Sequence, residues 1–140
     1  MKKINGAEVI RNRQLTKRLL WIGLGGAVGA ILRTLIGESV QHAGGIPVAT
    51  LFVNIIGTFL LCFIVSGSLR MLLAHKELTN AITTGFLGSF TTFSTLSIEL
   101  VELMENGQFV LAVIYISISI IGGLSLGVLG FHLGGKKVRG

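Results

Sequence analysis

Hydrophobic positions run in long blocks that charges interrupt only rarely. Leu19 to Gly37 holds one charge, Arg33, while Ser39 to Leu69, Leu78 to Ile98 and Asn106 to Gly135 hold none. Each block supplies the roughly 20 apolar residues that cross a bilayer. The pattern predicts four membrane helices at about 19–38, 48–70, 80–103 and 109–133. Short connections join them: 42–47, ending in Pro47, then 74–77 and 105–108. The expected organisation is a basic N-terminal tail (1–18), a four-helix membrane domain (19–135) and a basic C-terminal tail (136–140). The N-terminal tail reads as a solvated anchor more readily than as a surface helix, because Ile4, Val9, Ile10 and Leu15 are its few apolar residues. The first helix does not read as a cleaved signal peptide, since polar residues precede it and no clean small-residue site ends it.

Composition agrees with an all-α membrane protein. The chain has 140 residues, 51% hydrophobic and 13% charged. An ordinary soluble domain carries about 25% charged residues. A single cysteine, Cys62, excludes an internal disulfide framework and a cysteine-built zinc site. His42, His75 and His132 show no metal spacing, and no Ser/His/Asp or Cys/His constellation emerges, so an enzyme is not expected.

The net charge of +6 changes the picture through its placement. Lys2, Lys3, Arg11, Arg13, Lys17 and Arg18 precede the first helix, Arg70 and Lys76 lie between the second and third, and Lys136, Lys137 and Arg139 follow the fourth. The other two connections carry no cation, and only Arg33 lies inside a helix. This is a topology signal and not a nucleic-acid footprint. It places both termini in the cytoplasm.

Polar residues at membrane depth are costly, so they mark candidate function. Gly25, Gly29, Arg33 and Gly37 recur at four-residue spacing. The glycines read first as a packing seam. Arg33 either snorkels to the outer interface or lends positive potential to an aqueous vestibule. Thr50, Asn54 and Thr58 share one face of the second helix. Asn54 reads equally as interhelical glue or as a pore-lining donor. The third helix carries Gly88-Ser89-Phe90-Thr91-Thr92-Phe93-Ser94-Thr95-Leu96-Ser97, a weak helix rich in hydroxyls. A break near Gly88–Thr92 is expected, and broken helices at membrane depth free carbonyls that hold small cations. The alternative is a continuous helix whose hydroxyls bond back to its own carbonyls. Glu99 lies one turn deeper than Glu102 and is a candidate vestibule group. Tyr115, Ser119, Gly123 and Gly127 share a face of the fourth helix, as a packing seam or a polar track.

Three segments carry a resemblance. Gly25 to Arg33 (GGAVGAILR), Thr50 to Gly57 (TLFVNIIG) and Gly85 to Thr95 (GFLGSFTTFST) resemble the Fluc/CrcB fluoride channels, and the likeness covers about 19–133. The resemblance implies small four-helix subunits paired antiparallel into a dimer with two pores. It implies passive fluoride passage that protects cells, since fluoride enters as neutral HF and dissociates inside. It implies a central structural sodium ion on the carbonyls of Gly88 and Thr91. It assigns the anion path to Asn54, Phe93, Thr50, Arg33, Tyr115 and Ser119, with Ser94 and Thr95 beside them and Glu99 as the helix carboxylate. Two positions depart from the pattern. Leu96 stands where a second pore phenylalanine is expected, and Gly123 where a further track hydroxyl is expected.

The one-sided cations oppose an antiparallel homodimer, which needs one sequence to insert both ways. The expectation is therefore an antiparallel heterodimer with a homologous subunit, with a homodimer as the alternative. Two other readings remain open: a small multidrug-type exporter, which needs a carboxylate inside the first helix, and a non-conducting partner subunit of a fluoride channel.

Overall fold

The computed structural model describes residues 6–40, 45–68 and 76–139, with residues 6–9, 68 and 137–139 by backbone alone. The 42–44 turn, Arg70 and His75 lie outside the described residues. Every regular element among the described residues is a helix. We number them α1 (Gly6–Ser39), α2 (Val48–Phe63, closed by a π turn, Ile64–Ser68), α3 (residues 76–90), α4 (Phe93–Glu105) and α5 (Phe109–Arg139). α1, α2 with its π turn, and α5 are each long and apolar enough to cross a membrane. α3 and α4 together make the fourth crossing, broken in its middle.

The break falls at Thr91–Thr92, within the stretch where the sequence predicts it. Both residues are extended, with ψ of 151° at Thr91 and 126° at Thr92. Thr92 then caps α4: its hydroxyl accepts the Thr95 N–H at 3.1 Å. A threonine at this position satisfies one of the N–H groups that a new helix start leaves orphaned. Before the break, Ala81–Leu87 is wound as a wide π segment.

Two boundaries differ from the sequence expectation. α1 starts at Gly6, so residues 6–18 continue the first membrane helix without interruption. Local helix formers such as Glu8, Arg11, Gln14, Leu15 and Lys17 extend a helix that the apolar run has already nucleated. α5 likewise continues through the basic C-terminal stretch to Arg139.

Glycine sets the packing on both sides of the bundle. A Cβ on Gly25 would overlap the Ala81 carbonyl, one on Gly29 the Phe86 carbonyl, and one on Gly85 the Ile22 carbonyl. α1 and α3 thus meet backbone to backbone, as small residues at four-residue spacing permit. Gly37 continues the spacing but meets no atom within 4 Å, so it takes no part in that seam. On the other side, Gly130 and Gly134 lie against the Phe59 and Phe63 carbonyls, bringing α5 onto α2. Leu96, Leu103, Ala112 and Tyr115 form a buried cluster between α4 and α5.

Candidate functional site

The break in the fourth crossing is held from outside by α2. Asn54 Nδ2 donates to the Thr92 carbonyl at 2.8 Å, and the Thr92 N–H donates to Asn54 Oδ1 at 2.7 Å. A side-chain amide thereby gives the Thr92 N–H the acceptor that the break removes, and adds a donor to the carbonyl that starts α4. Gly57, one turn along α2, makes the approach possible: a Cβ there would overlap the Thr91 side chain.

The diversion has a consequence for two carbonyls. In a continuous helix the Thr92 N–H would bond the Gly88 carbonyl and the Thr95 N–H the Thr91 carbonyl. Here the first goes to Asn54 and the second to the Thr92 hydroxyl. Gly88 and Thr91 are the residues to which the resemblance assigns a cation, and backbone oxygens suit a hard cation.

Above the clamp lies a cavity of about 320 Å³ that Arg33, Glu38, Thr50, Thr92, Thr95 and Glu99 line. It gathers four of the residues singled out in the sequence. Arg33 is half-buried, and among the described residues no hydrogen bond or ion pair engages it. Glu99 accepts from both sides: Thr50 Oγ1 donates to Oε1 and Tyr115 Oη to Oε2, each at 2.6 Å. Tyr115 is fully buried, so its ring fixes the carboxylate from behind.

The remaining residues stand elsewhere. The Ser119 hydroxyl donates to the Tyr115 carbonyl of its own helix, as Thr58 does to Asn54. Ser94 is exposed beside the break, 3.2 Å from the Thr92 hydroxyl. Phe93 is 79% exposed and does not line the cavity. Leu96, at the expected second phenylalanine position, is buried in the core cluster. Gly123 meets no atom within 4 Å.

Thr92 itself is the residue that sequence reasoning missed. It joins the clamp, the α4 cap and the cavity wall. The available signal was positional: a threonine followed three residues later by another hydroxyl, at a site where a helix must restart.

Residues 20–131 match the family described as CrcB-like protein, Camphor Resistance (CrcB). The chain belongs to the CrcB family. It is 46% identical to the fluoride-specific ion channel FluC 1 of Desulfitobacterium hafniense over 79% of this chain and 96% of that protein. It is 48% identical to the fluoride-specific ion channel FluC 2 of Geobacillus kaustophilus over 75% of this chain and 83% of that protein. A Staphylococcus aureus fluoride-specific ion channel FluC 1 is 39% identical over 83% of this chain and 95% of that protein. The CrcB match spans all four crossings and the break, so the clamp, the cavity and the core cluster lie inside the family region. The helical extension before residue 20 lies outside it.

Proposed function

We propose that this CrcB chain is a subunit of a passive, fluoride-selective channel of the cell membrane that lowers cytoplasmic fluoride and gives fluoride resistance. The observation that carries the proposal is Arg33, engaged by no hydrogen bond or ion pair among the described residues, in a cavity that Thr92 of the Asn54–Thr92 clamp lines. The named function of its close relatives points the same way. Fluoride is small and tightly hydrated, so a path must replace water with donors. Arg33 supplies positive potential, and the second Asn54 N–H and the hydroxyls supply donors. Thr50 and Tyr115 hold their protons toward Glu99, so anion passage draws on these donors in competition with the carboxylate. Weak, successive sites of this kind favour conduction over tight binding.

The exposed break favours assembly. Phe93 and Gly88 face outward from the single chain, beside carbonyls whose helical donors are diverted. In the assembly we propose, an antiparallel second subunit covers this face, and the Gly88 and Thr91 carbonyls of both subunits hold a structural sodium ion at the centre. Such an ion supplies fixed positive charge and ties the two breaks together. The lopsided cations favour a homologous partner of opposite orientation, with both termini of this chain cytoplasmic.

The experiment is fluoride release from vesicles holding the chain alone and together with an oppositely oriented CrcB subunit. Fast release from the pair and little from the single chain is the expected result. Absence of release from both leaves a non-conducting subunit as the better reading.

A further inference from the structure

α1 is longer than a bilayer requires. Its 34 residues span about 51 Å at 1.5 Å per residue, whereas the hydrocarbon core is about 30 Å thick. The apolar run begins at Leu19, so the helix before it passes through the headgroup layer at that end. Arg13, Lys17 and Arg18 lie in this passage. All three precede residue 20, where the CrcB match begins.

Two of these cations head an exposed stripe. Arg13, Lys17, Leu20, Trp21, Leu24 and Val28 stand at i, i+4, i+7, i+8, i+11 and i+15, so they share one face of α1. All six are exposed. The seam that Gly25 and Gly29 make with α3 lies on another side of the helix, and α3 is the element on which α1 chiefly packs. The order along the stripe is the order along a phospholipid. Two cations come first, then an aromatic ring at the depth where such rings sit between headgroup and acyl chain, then aliphatic side chains.

The charge around the stripe is one-sided. No acidic residue stands between Glu8 and Glu38. Glu77, the one acid whose side chain is described at this end, is on α3. Arg18, on the flank toward α3, adds a third cation at this depth. Its Nε is buried and has no hydrogen-bond partner among the described residues.

We propose that this face of α1 is a binding site for an anionic phospholipid. Arg13 and Lys17 take the phosphate, Trp21 lies beside the glycerol, and Leu24 and Val28 follow an acyl chain. The arginine fork can meet two phosphate oxygens at once, and the lysine adds a point charge. A zwitterionic headgroup brings its own ammonium and weakens that attraction, whereas a headgroup of net negative charge keeps it. Each Lys or Arg near an anionic leaflet adds about a fivefold preference. Neither Arg13 nor Lys17 lines the cavity of Arg33 and Glu99, so the site does not depend on the fluoride reading.

Trp21 is the chain's only tryptophan, so it reports on the stripe directly. The test places the chain, paired with an oppositely oriented CrcB subunit in which tryptophan is absent, in phosphatidylcholine vesicles. Trp21 fluorescence is followed as a minor fraction of the lipid is replaced by phosphatidylglycerol or phosphatidylcholine brominated near the top of the acyl chain. The brominated phosphatidylglycerol should quench with an apparent affinity about fivefold or more above that of the phosphatidylcholine. Arg13→Gln with Lys17→Gln should remove the preference, and Arg13→Lys with Lys17→Arg should keep it. Lys76→Gln with Lys136→Gln takes two cations from α3 and α5 at the same end and should leave it in place. Equal quenching by the two lipids overturns the site, as does a preference that survives Arg13→Gln with Lys17→Gln. A preference lost equally in Lys76→Gln with Lys136→Gln shows only the general field of the basic end and also overturns it. Inorganic phosphate at matched ionic strength should leave the quenching as it was; if it abolishes the preference, the cations hold free phosphate and the lipid site falls.

Discussion

Asn54 and Thr92 exchange two hydrogen bonds across 38 residues of sequence, at 2.8 and 2.7 Å. One amide side chain thus holds open a break in a membrane-crossing helix. Breaks of this kind survive only where protein or water satisfies the freed backbone.

Asn54→Asp keeps the shape and removes the donor. A carboxylate oxygen then faces the Thr92 carbonyl, and an anion path gains negative charge. The loss of one hydrogen bond costs about 0.5–1.5 kcal/mol. Thermal unfolding in detergent should show a loss of that size, and fluoride release should fall at least tenfold. Unchanged unfolding and unchanged release would remove the clamp from the account.

Tyr115→Phe retains the buried ring and deletes the proton held by Glu99 Oε2. Thr50→Val does the same for Oε1. Hydrogen bonds to charged groups are worth about 1.5–3 kcal/mol each. Each variant should lose stability in that range, and the double variant should depart from additivity, because both act on one carboxylate. A double-mutant cycle read by unfolding checks this. Additive losses would mean that the two hydroxyls do not share Glu99.

Much of this arrangement is legible in the sequence, for identifiable reasons. Charge-free runs mark the crossings, because the bilayer penalises charge over a fixed length. Gly25 and Gly29 announce a close seam, and the hydroxyl-rich stretch around Thr91 announces a break. The start of α1 at Gly6 is not legible in apolar content, because it depends on local propensity added to an existing helix. The exchange between Asn54 and Thr92 is a tertiary contact that spacing cannot supply. The break also resets helical phase. On α4, Leu96 turns into the core while Phe93, at its first position, points out, although the motif alone offers both to a pore.

Two glycines should behave in opposite ways. Gly29→Val drives a branched side chain into the Phe86 carbonyl, and overpacking costs about 1–3 kcal/mol or more. Size-exclusion profiles should show loss of the monodisperse protein. Gly123→Ser has open space around it and restores a hydroxyl to the α5 face. It should leave the profile intact and raise fluoride release about twofold or more. Loss of monodisperse protein in Gly123→Ser would contradict the open space seen there.

Orientation is checked by reporters fused at the C-terminus. The one-sided cations should give cytoplasmic signal alone. Equal signal from both sides of the membrane would show dual insertion and favour a homodimer.

The most direct measurement of the central claim is electrode-detected fluoride release, started by a potassium ionophore, from vesicles holding this chain paired with an oppositely oriented CrcB subunit. Chloride release is followed in parallel. The account predicts rapid fluoride release well above protein-free vesicles, with chloride retained. Fluoride release no faster than from empty vesicles, or chloride leaving alongside it, would contradict it.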